Sequence, residues 1–165
     1  MLFRSLNESG SPHSLSTTLF SWGLGGFIGS SLVGIFIDRT RKPRVIMALI
    51  LFGLMLSLIA IPLTKNVPYF GLIPFFMWGA FGWAVANPQQ QILYELHENQ
   101  GSILAAMNSS ALGLGGALGT LLGGLIIASG FREIYLPFSA ATLLLFVLIV
   151  QLLLTHNANK GYVHE

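Results

Sequence analysis

An all-α membrane protein of five transmembrane helices is the fold class this sequence predicts, on three observations. Of its 165 residues, 53% are hydrophobic and only 8% charged, whereas a soluble domain carries about 25% charge to wet its surface. Mean hydropathy is +0.73. Five apolar stretches each approach the roughly 20 residues needed to cross about 30 Å of hydrocarbon, and the breaks between them hold nearly all the charge. Runs of that length exceed any buried strand. In lipid every backbone polar group must find a partner inside the chain, so each run is a helix.

The first span runs from Ser14 to Ile37 and is rich in glycine: Gly23, Gly25, Gly26, Gly29 and Gly34. Gly25 and Gly29 stand four apart, as do Gly26, Ser30 and Gly34. Small residues at that spacing let two helix backbones approach closely. The second span, Val45 to Leu63, is Leu/Ile/Met/Phe-rich and predicts a support facing lipid. The third, Tyr69 to Gln91, is the polar one. Phe76, Ala80, Trp83, Asn87 and Gln91 fall along one helical stripe, with Gln90 at its edge. An amide in mid-bilayer is costly unless paired, so such residues face a bundle interior or a wet cavity. Pro88 removes a backbone donor and clashes with the carbonyl of Ala84. The fourth span, Ser102 to Ala128, repeats the glycine device with Gly115, Gly119 and Gly123 on one ridge and Gly116, Thr120 and Gly124 beside it. Asn108, Ser109 and Ser110 extend its polar end. The fifth, Tyr135 to Thr155, is again a lipid-facing type.

Charge sets the expected orientation. The break after span one reads Asp38-Arg39-Thr40-Arg41-Lys42-Pro43-Arg44 and holds half of the chain's eight Lys and Arg residues; the opposite side holds Arg4, Lys65 and Arg132. The positive-inside rule puts the basic loop and the C-terminus in the cytoplasm and the N-terminus outside. Residues 1–13 are then an extracytoplasmic stub, 14–155 the bundle and 156–165 a cytoplasmic tail.

Several function classes drop out. A net charge of +2 implies no nucleic-acid partner, and zero cysteines remove disulfides, thiolate metal sites and cysteine nucleophiles. His13, His97, His156 and His164 share no spacing that suggests a metal. No catalytic constellation and no cofactor motif stand out, so the expectation is a non-enzyme without cofactor, either a transporter or a structural membrane protein. The plainer readings of the marked residues stay open: glycine ridges as ordinary packing, the Asn/Gln group as interfacial, Trp78 and Trp83 as packing residues, and the basic loop as a topology anchor.

The run Gly34-Ile35-Phe36-Ile37-Asp38-Arg39-Thr40-Arg41-Lys42 resembles the loop signature of the major facilitator superfamily. Phe36 stands where leucine is usual, and Arg41 where the pattern has a second glycine. Trp78 to Gln91 looks like the tenth helix of the twelve-helix efflux branch, and Asn108 to Gly119 with Gly123-Gly124 like its eleventh. The nearest branch is that of bacterial sugar and drug efflux permeases related to arabinose exporters. The resemblance covers residues 14–155, and more loosely Leu2 to Gly10 as the end of helix seven. It implies that the five spans are helices eight to twelve, part of a fold built from two six-helix bundles.

On that resemblance the chain is expected to be the C-terminal part of a proton-coupled small-molecule exporter in the bacterial inner membrane. Its partners are then the bilayer, an N-terminal six-helix bundle absent from this chain, the substrate and protons. Trp83, Asn87, Gln90, Gln91 and Asn108 are the expected substrate-path residues. Gly34, Asp38, Arg39 and Arg41 form the expected gating loop, and Gly25, Gly29, Gly115, Gly119 and Gly123 the expected packing seams toward the other bundle. The alternative is a non-transporting or inactive fragment that packs on a partner through its glycine faces.

Overall fold

The computed structural model describes residues 15–64, 67, 70–96 and 100–161. The expected stub of residues 1–13, with Arg4, lies outside the described residues, as does Lys65. The described chain is helical, with α1 Leu15–Thr40, α2 Pro43–Thr64, α3 Leu72–Ala84, α4 Ala86–Leu96, α5 Gly101–Ala128 and α6 Leu136–Gly161. A 3-10 turn, Glu133–Tyr135, precedes α6. Four of these helices, α1, α2, α5 and α6, are long and apolar enough to cross a bilayer.

Local chemistry fixes most boundaries. Pro43 opens α2, and Pro74, Pro88 and Pro137 lie in the first turns of α3, α4 and α6. There the missing N–H costs nothing, because the first four N–H groups of a helix have no intrahelical acceptor. The end of α5 is a glycine cap. Gly130 adopts φ +85°, its N–H donates to the Ile127 carbonyl at 2.9 Å, and Phe131 N–H donates to the Ile126 carbonyl at 3.4 Å. This is the double bond pattern that satisfies the last orphan carbonyls. The end of α1 uses the single-bond variant: Arg41 N–H donates to the Ile37 carbonyl at 2.8 Å with Arg41 at φ +52°.

The third span corrects an expectation. The single helix over residues 69–91 is instead two helices meeting at Val85, and the second continues to Leu96. Val85 keeps helical dihedrals, φ −60° and ψ −29°, so hydrogen bonding is interrupted more than direction. Pro88 is the cause, since it has no N–H to give the Ala84 carbonyl.

The tightest contact in the bundle joins α1 to α3. A Cβ on Gly25 would overlap the Phe76 carbonyl, one on Gly29 the Ala80 carbonyl, and one on Gly79 the Trp22 carbonyl. Ser21 Oγ donates to the Leu72 carbonyl at 3.2 Å, across 51 residues of sequence. Gly25 with Phe76 and Gly29 with Ala80 keep that same offset. Trp22 with Gly79, Gly26 with Trp83 and Ser30 with Asn87 keep a second one, of 57 residues. A constant offset along both rows means that the two helices run parallel, backbone against backbone. Such contact is open only to small residues, where dispersion and weak hydrogen bonds replace the hydrophobic drive that lipid lacks. The expectation that Gly25 and Gly29 form a seam toward a separate bundle is therefore corrected: they are used within the chain.

Span two is also more central than its composition suggests. Ile46 and Ile50 of α2 pack with Val33 and Ile37 of α1 and Ala84 of α3. Leu58 and Ile61 pack with Phe75 of α3 and Ala141 of α6. The phenyl ring of Phe81 lies on Gly53 of α2. Leucine-rich composition did not separate this buried helix from α6, because lipid and a dry protein core solvate leucine alike. Helix α5 is the least engaged. None of its most apolar stretch is buried, and its principal contact is with α4.

Candidate functional site

The expected polar stripe on the third span is real as a stripe, but much of it faces α1. The carbonyls of Phe76 and Ala80 meet the glycines of that helix, and the Trp83 ring lies 3.0 Å from where a Cβ on Gly26 would stand. One turn on, Asn87 Nδ2 donates to the Ser30 carbonyl at 3.1 Å. The amide that read as a substrate contact thus secures α4 to α1 across the break at Val85. Gln90 and Gln91, also on α4, are half-buried.

Trp83 is packed on one side and open on another. It remains 54% exposed while its ring sits 5.8 Å, edge-on at 75°, from Trp22. Trp22 lies 5.9 Å from Trp78, and Trp78 lies 6.4 Å from Phe75. All three tryptophans of the chain thus join one aromatic cluster at the α1–α3 seam. Spacing along the chain does not mark Trp22 as a member, since the pairing depends on the parallel register of two helices far apart in the chain.

Asn108 lies on α5. Although that helix is exposed along most of its length, Asn108 is 6% exposed, and its Nδ2 has no hydrogen-bond partner. A buried donor left unpaired costs about 1–3 kcal/mol, so this amide is poised to receive an acceptor. Asn108 sits on a different helix from Trp83 and Asn87; α5 reaches the remainder of the group chiefly through α4.

The loop residues form a separate group at the C-terminal end of α1. Asp38 and Arg39 lie in its last turn and Arg41 just beyond, all exposed; Gly34 is half-buried, with open space where a Cβ would stand. Arg39 complements the negative end of the helix dipole. Arg41 occupies a left-handed conformation that carries a steric cost for any residue with a Cβ, and this explains why the resembled signature has glycine at the corresponding place. Among the described residues no group of three His, Cys, Asp or Glu side chains could hold a metal ion.

On the remaining packing glycines, Gly115 and Gly119 meet nothing within 4 Å, and Gly123 meets only a Leu136 methyl at 3.9 Å. Their ridge is open.

Comparisons with known proteins agree with this architecture. The family model of the Major Facilitator Superfamily matches residues 2–163. The chain is 29% identical over 130 residues to the inner membrane transport protein YdhP of Escherichia coli (strain K12), covering 79% of this chain and 33% of that protein. It is 26% identical over 155 residues to the uncharacterized MFS-type transporter YfhI of Bacillus subtilis (strain 168), covering 92% of this chain and 37% of that one. No solved structure matches. The chain spans about a third of the length of these relatives. With apolar helices of spanning length and a match along nearly its whole extent, this multi-pass membrane chain belongs to the Major Facilitator Superfamily.

Proposed function

We propose that the chain is the C-terminal part of a secondary transporter that exports a small molecule, a sugar or a drug, in exchange for protons. The observation that carries this reading is the open ridge Gly115, Gly119 and Gly123 on α5. A close-approach surface with no counterpart in its own bundle fits a second bundle, here an N-terminal six-helix one, and paired bundles rocking about a midplane site are how secondary transporters work. Trp83, Gln90, Gln91 and Asn108 line the substrate path, with Asn87 holding α4 in place. Asp38, Arg39 and Arg41 gate the cytoplasmic end, exchanging carboxylate–guanidinium contacts between states. The basic loop and the C-terminus lie in the cytoplasm, the N-terminus outside, and the membrane is the bacterial inner membrane.

Proteoliposomes containing the chain together with an N-terminal six-helix bundle from the Escherichia coli relative test this directly. An imposed pH gradient should drive movement of a labelled sugar or drug, and Asp38→Asn should slow it. The same open ridge also fits a second reading, a non-transporting membrane protein that assembles a partner. A stable complex of chain and bundle that moves no solute under any gradient would select that reading.

A further inference from the structure

We propose that the groove between α2 and α3 seats one acyl chain of an acidic phospholipid, whose headgroup is held by Lys42 and Arg44 at the start of α2. The site lies apart from the substrate path and does not depend on the transport reading.

The sequence of α2 builds the groove. Leu49, Phe52, Leu56 and Ala60 line it from α2, at the spacing that keeps residues on one helix face. Met77 and Phe81 of α3 form the opposite wall. Between them Gly53 adds no side chain and receives the edge of the Phe81 ring. The buried Ser57 turns its hydroxyl back onto its own helix, donating to the Leu54 carbonyl at 2.7 Å, so the lining stays apolar. The groove holds about 510 Å³. Leu49 to Ala60 covers about 17 Å at 1.5 Å per residue, close to the roughly 15 Å of one leaflet's hydrocarbon. Leu49, Phe52, Leu56 and Met77 are exposed, and in a bilayer what meets them is lipid. A groove of this length takes a single chain along its axis.

An apolar wall does not choose among lipids, because every acyl chain suits it equally. The choice is made at the mouth. On the helix face that carries Leu49, Val45 lies one turn back, and Lys42 lies one turn before that. The Lys42 carbonyl accepts from Ile46 N–H at 3.2 Å, so α2 starts from this residue. Lys42 is exposed and Arg44 half-buried, and Arg44 stands only about 8 Å along the axis from Leu49. The amino end of α2 adds the positive pole of its dipole. The described carboxylates at this end of the bundle, Asp38 and Glu95, belong to the last turns of α1 and α4, and Asp38 adjoins Arg39. A phosphate at the mouth therefore meets two cations and a helix N-terminus, and its chain passes Val45 into the groove. A zwitterionic headgroup brings its own cation against the same residues and gains less.

Leu49→Trp places a fluorescent reporter on the rim of the groove, and Phe146→Trp is its control. Gln151 Nε2 donates to the Arg44 carbonyl at 3.5 Å, so five residues onward in α2 and five back in the antiparallel α6 reach the same depth. Phe146 is 68% exposed and does not line the groove. The full chain with either substitution is reconstituted in phosphatidylcholine vesicles containing a small share of brominated phosphatidylglycerol or brominated phosphatidylcholine. Quenching of the added emission is read after subtracting the unaltered chain with its three native tryptophans. At Leu49→Trp the brominated phosphatidylglycerol should behave as at least about fivefold enriched, the effect of one cation near an acidic lipid. At Phe146→Trp the two lipids should quench nearly alike. Adding Lys42→Gln and Arg44→Gln to the Leu49→Trp chain should abolish the enrichment and leave quenching by phosphatidylcholine unchanged. Circular dichroism checks that the chains are helical. Should the charge variant fail to fold, raised salt replaces it, since salt screens the headgroup and spares the apolar contact. Equal quenching by both lipids at the groove overturns the proposal. So does equal enrichment at both reporters, which would mean a diffuse shell around the basic loop. Absence of quenching by either lipid at Leu49→Trp also overturns it, because another segment of protein would then cover the groove.

Discussion

Replacing Gly29 by alanine adds one methyl group, and its effect is set by the backbone that faces it. The new Cβ would overlap the Ala80 carbonyl of α3. Neither partner is a flexible side chain, so the two helices have to move apart. Regaining ordinary contact takes roughly 1 Å, and a gap of that order forfeits a quarter to a half of each dispersion contact across the seam. The seam runs from Ser21 and Leu72 to Ser30 and Asn87, so many contacts loosen together. Overpacking of this kind costs about 1–3 kcal/mol. Gly119→Ala is the matched control, since its Cβ would meet nothing within 4 Å. There only backbone entropy changes, which favours alanine by about 0.5–1 kcal/mol. Unfolding by denaturant in detergent micelles, followed by tryptophan emission, should therefore move in opposite directions for the two variants. Equal midpoints, or a higher one for Gly29→Ala, would refute the parallel backbone contact on which the fold description rests.

Other substitutions probe the remaining features. Arg41→Gly should stabilise the chain by about 0.5–1 kcal/mol, because glycine meets no Cβ penalty in the left-handed region; the same unfolding assay reads it. Asn87→Ala should cost about 0.5–1.5 kcal/mol through loss of the hydrogen bond to Ser30, seen as faster amide exchange in α4 than in α3. Asn108→Leu should raise the stability of the chain by about 1–3 kcal/mol by removing an unpaired buried donor; a lowered unfolding midpoint would mean that the amide is already paired. The chain has no cysteine, so Arg41→Cys and Arg132→Cys each create a unique label site. In intact cells an impermeant maleimide should modify the second and spare the first.

Much of the architecture was legible because hydropathy is a property of composition. Span lengths, the charged breaks and the polar third span could all be read without coordinates. Span edges moved by a few residues: α1 runs on to Thr40 and α6 to Gly161, because polar residues at an interface continue a helix at little cost. The unread part was pairing. Gly25-Gly29 and Gly115-Gly119 are the same motif, yet one is closed by α3 and the other open, and spacing along one helix says nothing of what faces it. Pro88 reads as disruptive in the sequence, but its consequence depends on whether a new helix can start around it. Asn87 reads as a polar group needing a partner; that the partner is a backbone carbonyl of α1, 57 residues earlier, lies in the tertiary register. The unusual Arg41 was visible as a departure from a pattern, and its left-handed dihedral supplies the physical reason for that pattern.

The parallel α1–α3 seam also has a consequence for biogenesis. Ser21 leaves the ribosome 51 residues ahead of its partner Leu72, and synthesis proceeds at roughly 5–20 residues per second, so the interval is about 3–10 s. During it α1 is already in the membrane with its glycine face bare to lipid, and α2 has to cross back before α3 can arrive alongside. Nascent chains arrested before Ala80 should therefore hold α1 loosely, and the translocon or an insertase is the natural shelter for it until the third crossing is made.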